Sequence, residues 1–366
     1  MTTIILNTQA FTSTVSTATN YISNGDFDLS GKITISSIED KMTISSTNYI
    51  ETIALNGIEY QNEDLTQSGF NSFSIDGKKL LSVLKAAKSD VVKLEIKDDE
   101  VVIKIGRSKV KIKTINELHK FVITNNIGTP VSIGKLNESL QRVLHAVDSN
   151  NPKFELNGVC ITSKKGVLNL VGTDTRRLSV YTAESNENEF EAIVPKDGIK
   201  SIIKLFGGYD ITAHIQDTEL TVTTENISYS VKLVNGTFPQ WERIVPEAYN
   251  QTFSIDRKKL QELIAEASLF QPEIEIKIND NLIVIKDMEG NTETREDIDT
   301  DNVNIHFRIN AKNILEFLSS YNDENVQICF NGQNLPIILV ADSNFKEVCM
   351  PIVVSEEEIQ DETRAA

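Results

Sequence analysis

A chain of 366 residues exceeds one ordinary domain and points to two or three; with 40% apolar and 24% charged residues it reads as globular, not fibrous or disordered. The net charge of −17 taken alone argues against a nucleic-acid partner, and three widely spaced cysteines (Cys160, Cys329, Cys349), each in an apolar run, read as reduced core thiols rather than a disulfide framework. Nothing approaches about eighteen consecutive apolar residues and no leader-like segment opens the chain, so the expected location is the cytoplasm and no membrane partner is expected.

Along the chain, short alternating strands run straight into amphipathic helices roughly every sixty residues. They fall at 3–10, the weakest, then at 73–80, 131–136, 192–196, 253–260 and 307–312. Ser74-Ile75-Asp76 and Ser254-Ile255-Asp256 are nearly superimposable, and Lys-Lys-Leu follows each after one intervening residue. Each helix carries one apolar stripe: Phe11, Val15, Ala18 and Ile22; Leu136, Leu140, Val143, Leu144 and Val147; Leu260, Leu263, Ile264 and Ala267. Alternating strands follow, at 91–96 and 101–105, at 211–215 and 220–224, and at 326–330 and 336–340.

The repeating unit is therefore strand, helix, then about three antiparallel strands. Paired units give an α+β fold of three similar domains, each of two strand-helix-strands repeats, at 1–125, 126–248 and 249–354. Residues 355–366 form an acidic tail expected to be disordered. No Pro/Ser-rich linker separates the domains, so the sheets are expected to continue across the joints.

One stretch stands apart. Strands at 158–162 and 167–171 flank the turn Lys164-Lys165-Gly166, and the second runs into a polar corner, Thr173-Asp174-Thr175-Arg176-Arg177, before Leu178. Composition alone makes it an Asp-anchored turn with solvated arginines.

Charge is segregated. The six helical stretches together carry +6, leaving −23 on the rest. The helical cations are Lys78, Lys79, Lys85, Lys135, Arg142, Lys196, Lys200, Lys204, Lys258 and Lys259. A solvated face explains any one helix. Six with a common layout, if they line one surface, would bind phosphates without reading bases, giving sequence-independent, salt-sensitive contact with duplex DNA.

An enzyme site is not visible. His119, His145, His214 and His306 are scattered, and Ser30-Gly31-Lys32 lacks the spacing of a phosphate loop. Asp297, Asp299 and Asp301 alternate without the glycine or closing glutamate of a calcium loop. No catalytic residue, metal or cofactor is expected.

In order along the chain, several segments resemble the bacterial sliding clamps, the beta subunits of DNA polymerase III. They are Leu156-Asn157-Gly158, Thr173 to Leu178, Gly236-Thr237-Phe238-Pro239-Gln240-Trp241, and Met350-Pro351-Ile352. The resemblance spans about residues 1–354. It implies a ring formed by a head-to-tail homodimer that encircles duplex DNA, placed there by a clamp loader, and tethers polymerase and repair proteins through short peptides; no catalysis is implied. A repeat-built protein scaffold that no longer encircles DNA is the alternative.

The implied peptide cleft comprises Leu156, Thr173, Thr175, Arg176, Arg177, Leu178, Pro239, Arg243, Ile244, Asn310, Asn313, Pro336, Val348, Cys349, Met350, Pro351, Ile352, Val353 and Val354. Leu156, Leu178, Ile244, Val348 and Met350 would form an apolar pocket for a Leu or Phe anchor, with Thr and Arg groups at the rim. Lys153 and Phe154 resemble the family's DNA-touching loop. The implied dimer seam sets the basic strand 106–112 (Arg107, Lys109, Val110, Ile112) against Leu269, Phe270 and the acidic Glu296, Asp297 and Asp299. Thr175 and Arg176 depart from the family's Gly and His, removing a permissive glycine and adding a permanent cation, and Gln240 and Trp241 replace Asp and Tyr.

Overall fold

The computed structural model describes residues 2–23, 31–38, 41–63, 69–115, 128–132, 136–185, 189–279, 281–300 and 303–353. Lys135, His119, Asp301, Val354, the joint at 124–127 and the acidic 355–366 segment lie outside them.

One order of elements occurs six times. Repeat one is β1 (Thr2–Asn7), α1 (Thr8–Thr19), β2 (Lys32–Ile38), β3 (Lys41–Thr47) and β4 (Glu51–Ile58), trailed by the two-residue β5 (Gln61–Asn62). Repeat two is β6 (Phe73–Asp76), α2 (Gly77–Lys85), β7 (Val91–Ile96), β8 (Glu100–Ile105) and β9 (Ser108–Ile115). Repeat three is β10 (Thr129–Ser132), α3 (Leu136–Leu144), β11 (Gly158–Lys164), β12 (Val167–Thr173) and β13 (Arg177–Glu184). Repeat four is β14 (Phe190–Pro195), α4 (Lys196–Phe206), β15 (Thr212–Ile215), β16 (Glu219–Thr223) and β17 (Ile227–Lys232). Repeat five is β18 (Gln251–Asp256), α5 (Arg257–Ala267), β19 (Glu273–Asn279), β20 (Leu282–Asp287) and β21 (Glu293–Asp297). Repeat six is β22 (Asn304–Asn310), α6 (Ala311–Ser319), β23 (Asn325–Phe330), β24 (Ile337–Val340) and β25 (Phe345–Cys349).

The strand-to-helix switch is written into single residues. Asn7, Asp76, Asp256 and Asn310 each end a strand and cap the next helix, the side chain accepting from the backbone N–H of Ala10, Lys79, Lys259 and Lys312 respectively. Each helix then buries its stripe; in α5 this comprises Leu260, Leu263, Ile264 and Ala267. Leu260 and Ile264 are fully buried, each contributing roughly 1.5–3 kcal/mol.

Repeats pair by exchanging first strands. β1 pairs with β7 and β6 with β2; β10 with β15 and β14 with β11; β18 with β23 and β22 with β19. Within the same pairs, α1 packs on α2, α3 on α4 and α5 on α6.

The chain groups into two compact units. The first, Met1–Ser132 with Ile211–Leu233, holds a 13-stranded sheet in which β17 pairs with β4. Buried there, Tyr229 donates its hydroxyl to Glu51 at 2.7 Å and meets Tyr21 edge-on at 6.0 Å between ring centroids. The second, Ile133–Asp210 with Val234–Ala366, holds an eight-stranded sheet, joined through β13 and β25, and the four-stranded sheet β21-β20-β19-β22. Here α3 crosses β12 so closely that a Cβ on Gly172 would sit 2.5 Å from the Val143 carbonyl oxygen. Only glycine fits there.

On the four-stranded sheet, Ile274, Ile276 and Ile278 are buried, while Glu275 alternates to the opposite face. Only 3% exposed, its carboxylate meets Lys286 at 2.9 Å, Lys277 at 3.3 Å, His306 at 2.9 Å and Arg308 at 3.4 Å. Burial opposes its charge, but the hydrogen bonds from His306 and Lys286 and the nearby lysines win and hold the carboxyl well below its ordinary range. A folded value below the unfolded one, about 4.3, adds stability above that value and loses it as pH falls toward the folded value. Glu275→Gln should therefore cost about 1–3 kcal/mol at neutral pH, discounted for the partly exposed lysines. In urea melts the gap between wild type and variant should narrow progressively as pH falls below about 4; a gap that stays constant into the acid range would refute this account.

Candidate peptide cleft

The corner between β12 and β13 is held by its own side chains. Thr173 Oγ1 donates to the Arg177 carbonyl at 2.6 Å and accepts from the Thr175 N–H at 3.1 Å. Asp174 Oδ1 accepts from the N–H groups of Arg176 and Arg177, both at 3.0 Å. These bonds hold Thr175 at φ 75°, in the left-handed region that a β-branched residue rarely adopts. This is the position where the family pattern has glycine.

The two arginines are not alike. Arg176 is exposed, whereas Arg177 is 6% exposed, which corrects both the solvated-turn reading and its expected place on a peptide-contacting rim. Arg177 Nε donates to Asp174 Oδ2 at 3.1 Å; its Nη2 donates to the His145 carbonyl at 2.9 Å and lies 2.5 Å from Glu316 Oε2. Burial opposes its charge, but Glu347, Glu316 and Asp174 outweigh this and raise its pKa. Glu347, fully buried, also accepts from Ser179 Oγ at 2.5 Å and lies 2.5 Å from His145 Nε2.

β13 and β25 pair with Arg177 opposite Cys349, Leu178 opposite Val348 and Ser179 opposite Glu347. Because side chains alternate, Leu178 and Val348 face away from the Glu347 network. They join one apolar cluster with Leu156, Cys160, Val171, Val180, Ile193, Phe238, Cys329 and Ile338. Trp241, Val245, Tyr249, Val234 and Val340 pack against it, partly buried. Ile244 and Met350 stay 45% and 42% exposed, and the Met350 N–H donates to the Arg176 carbonyl at 2.8 Å. Leu156, Leu178 and Val348 thus form a closed floor rather than an open pocket, with Ile244 and Met350 exposed.

Other expected cleft residues divide. Pro239 and Arg243 are exposed on the segment carrying the single turn Trp241–Arg243; Pro336 and Ile352 are half-buried and Val353 is exposed. Cys349 departs from expectation. It is fully buried on the Glu347 side, its thiol pushed up by burial and the Glu347 charge, so no peptide reaches it. Asn310 Oδ1 is engaged in capping α6, Asn313 is buried on that helix, and Pro351 is buried. Phe238, Trp241, Val245 and Tyr249 were not among the expected cleft residues; the apolar and aromatic run around Pro239 and Pro246 was their signal.

The helical cations divide as well. Lys78, Lys85, Lys204 and Lys258 are exposed, as are Lys153 and Phe154, the latter at 72%. Lys79 and Lys200 lie near Asp76 and Asp197 at 3.6 and 2.8 Å, in exposed pairs that hold them only weakly. Three are engaged within the protein. Arg142 pairs with Asp342 at 2.6 Å beneath the Tyr181 and Phe345 rings, Lys259 meets Glu296 at 3.0 Å, and Lys196 donates to the Val147 carbonyl at 2.5 Å. Burial lowers the Lys196 pKa. Among the described residues, no group of three or more His, Cys, Asp or Glu side chains is arranged to hold a metal ion, and no helix is long and apolar enough to cross a membrane.

If the corner stores strain at Thr175, Thr175→Gly should stabilise the protein by about 0.5–1 kcal/mol, the relief exceeding the entropy cost of glycine. Chemical denaturation would read this, and a destabilised variant would show that the corner holds Thr175 without cost.

Family models of the DNA polymerase III beta subunit match this chain at its central domain, residues 131–240, and its C-terminal domain, residues 242–353. A beta sliding clamp of Helicobacter pylori is 26% identical over 285 residues, covering 73% of this chain and 75% of the relative. Two solved structures share the fold. The DNA polymerase III subunit beta of Pseudomonas aeruginosa superposes with a TM-score of 0.86 at 18% identity, covering 96% of this chain and 100% of that one. A Helicobacter pylori beta clamp bound to a DNA ligase peptide superposes with a TM-score of 0.87 at 21% identity, with the same coverage. The chain belongs to the DNA polymerase III beta subunit family, the bacterial beta sliding clamps.

Proposed function

We infer that this chain closes head to tail with a second copy into a ring around duplex DNA and tethers polymerase and repair proteins through the cleft beside Leu178 and Val348. It acts by raising effective concentration, not by catalysis. The three domains at 1–125, 126–248 and 249–354 correspond to the three repeat pairs, and their support is the reciprocal exchange of first strands.

The observation that carries the ring is which last strands find partners. β4 pairs with β17 and β13 with β25, so four of the six repeats are joined through their last strands. Two remain. β21 ends its sheet, and β9 meets β6 only at Thr114 and Ile115, leaving the 108–113 edge open among the described residues. Open edges seek partners, and these two suit each other: β9 carries Lys109, Lys111 and Lys113, while β21 carries Glu293, Glu296 and Asp297. Because Glu296 is already paired with Lys259 and Glu293 with Arg295, Asp297 and Asp299 offer the exposed acid of the seam.

Beside β9 lies a groove of about 760 Å³ lined by Val83, Ala86, Ala87, Ile103, Ile105 and Val110. Arg107 is exposed at its border and Lys109 is exposed on β9, while Ile112 is 7% exposed and belongs to the core. Leu269 and Phe270, 71% and 72% exposed, are the apolar groups a partner copy would insert there. Edge pairing of unlike surfaces is heterologous, and it closes on itself when two copies complete the rotation.

Sedimentation should give a mass near twice 40.8 kDa, and Phe270→Asp should shift it to the monomer. A wild-type monomer at micromolar concentration would rule out the seam. For the ring itself, protein loaded on a nicked circle should fall off when the circle is linearised; protein that stays bound to the linear form is not held topologically.

A further inference from the structure

On the four-stranded sheet β21-β20-β19-β22, the face opposite the buried isoleucines gathers positive charge around one carboxylate. Arg308, Glu275 and Lys286 stand in a single row across β22, β19 and β20, and in the next row on that face Lys277 stands opposite His306. Lys277 and Lys286 share the same oxygen, Glu275 Oε2, at 3.3 and 2.9 Å, yet their side chains stay 41% and 39% exposed. One oxygen cannot saturate two ammonium groups that carry three donors each. The charges of Lys277, Lys286 and Arg308 against Glu275 sum to 3 − 1 = +2. Of the flanking acids, Glu293 is paired with Arg295 at 2.5 Å, and Glu273 stands opposite Asn310, on the side of Glu275 away from Lys277.

The acidic end of the chain starts beside this row. The Ile352 N–H donates to the Arg308 carbonyl at 2.7 Å, and Val353, 72% exposed, follows it. Residues 355–366 then carry Glu356, Glu357, Glu358, Asp361 and Glu362 against one cation, Arg364. Extended chain advances about 3.3 Å per residue, which puts Glu356 to Glu358 about 10–17 Å beyond Val353. Lys286 lies two strands from β22, about 10 Å across the sheet, and is within that reach. The lysines also flank the half-buried Val284 on this face, and Ile359 directly follows the three glutamates, so an apolar match accompanies the charged one. Tethering favours this occupant over others: a segment that begins a few residues away is present at an effective concentration on the order of millimolar, which a free acidic partner would have to exceed.

We propose that the acidic segment 355–366 docks on the lysine-bearing face of this sheet, with its glutamates on Lys277 and Lys286. Seated there, it holds the chain beyond Val353 against β19 and β20 and covers a basic surface that would otherwise attract other anions. Each pair is half-exposed and individually weak, so the contact depends on several acting together and loosens with salt. Neither the ring nor the cleft reading is needed for it.

The test is fluorescence anisotropy of a thiol-reactive dye placed on the full-length chain by Gln360→Cys; Cys160, Cys329 and Cys349 are buried and should stay unlabelled. At low salt the dye should tumble with the protein, and its anisotropy should fall as salt is raised. Lys277→Gln combined with Lys286→Gln should give the low value without added salt. The triple change Glu356→Gln, Glu357→Gln and Glu358→Gln leaves the sheet untouched and should give the same loss, so the measurement decides even if the lysine variant folds poorly. An anisotropy that is low from the start, or that the triple change leaves as it was, would overturn the proposal. A loss produced by Arg176→Gln and not by the lysine pair would seat the segment elsewhere and overturn it equally.

Discussion

The pairing of β13 with β25 is the constraint on which the site depends. It joins residues about 170 apart in the chain, from Arg177–Cys349 to Tyr181–Phe345. Because side chains alternate along a strand, this one ladder builds two different environments. On one face Ser179 and Glu347 meet His145, with Arg177 beside them; on the other Leu178 and Val348 close the floor under Trp241 and Tyr249. A register slip of one residue would turn Glu347 into the apolar cluster and Val348 into the polar network. Neither face tolerates that exchange, so register is fixed from both sides.

The same logic operates at the level of the repeats. A strand-helix-strands unit cannot complete its own sheet, since its first strand finds its partner in the neighbouring repeat. Reciprocal exchange makes the pair the smallest unit that satisfies its own backbone, and third-strand pairing such as β4 with β17 extends the ladder from pair to pair. Among the described residues, the last strands of two repeats, β9 and β21, find no last-strand partner. Open edges are hazards unless each has an intended partner, and here the opposite charges on β9 and β21 specify one.

Much of this was legible in the amino-acid order because the signals are local. Alternation sets the strands, a stripe of period near 3.6 sets each helix, and Asn7, Asp76, Asp256 and Asn310 mark the switch between them. What was not legible depends on distant partners. Arg177 reads as a solvated turn cation until Glu316 and Glu347, more than a hundred residues away, are folded against it. Cys349 sits between two cleft residues in sequence, yet alternation turns it to the opposite face. Arg142 and Lys259 look like free helix cations, but Asp342 and Glu296 come from remote strands and turns. The Thr175 corner is the intermediate case: its position was marked by a departure from the family pattern, but its left-handed φ required the backbone.

The engaged cations bear on how a ring of two copies, each with a net charge of −17, could hold DNA. With Arg142, Lys196 and Lys259 committed inside the protein, the exposed charge on the helices reduces to a sparse set including Lys85, Lys204 and Lys258. For a protein that must grip DNA by affinity this would be a weakness, because each lost phosphate contact lowers binding and its salt dependence. A closed ring has a different requirement. Retention comes from topology, and tight phosphate contacts would only oppose sliding. The internal contacts of Lys196 and Lys259 then act as structure, holding α4 and α5, which also carry the exposed Lys204 and Lys258.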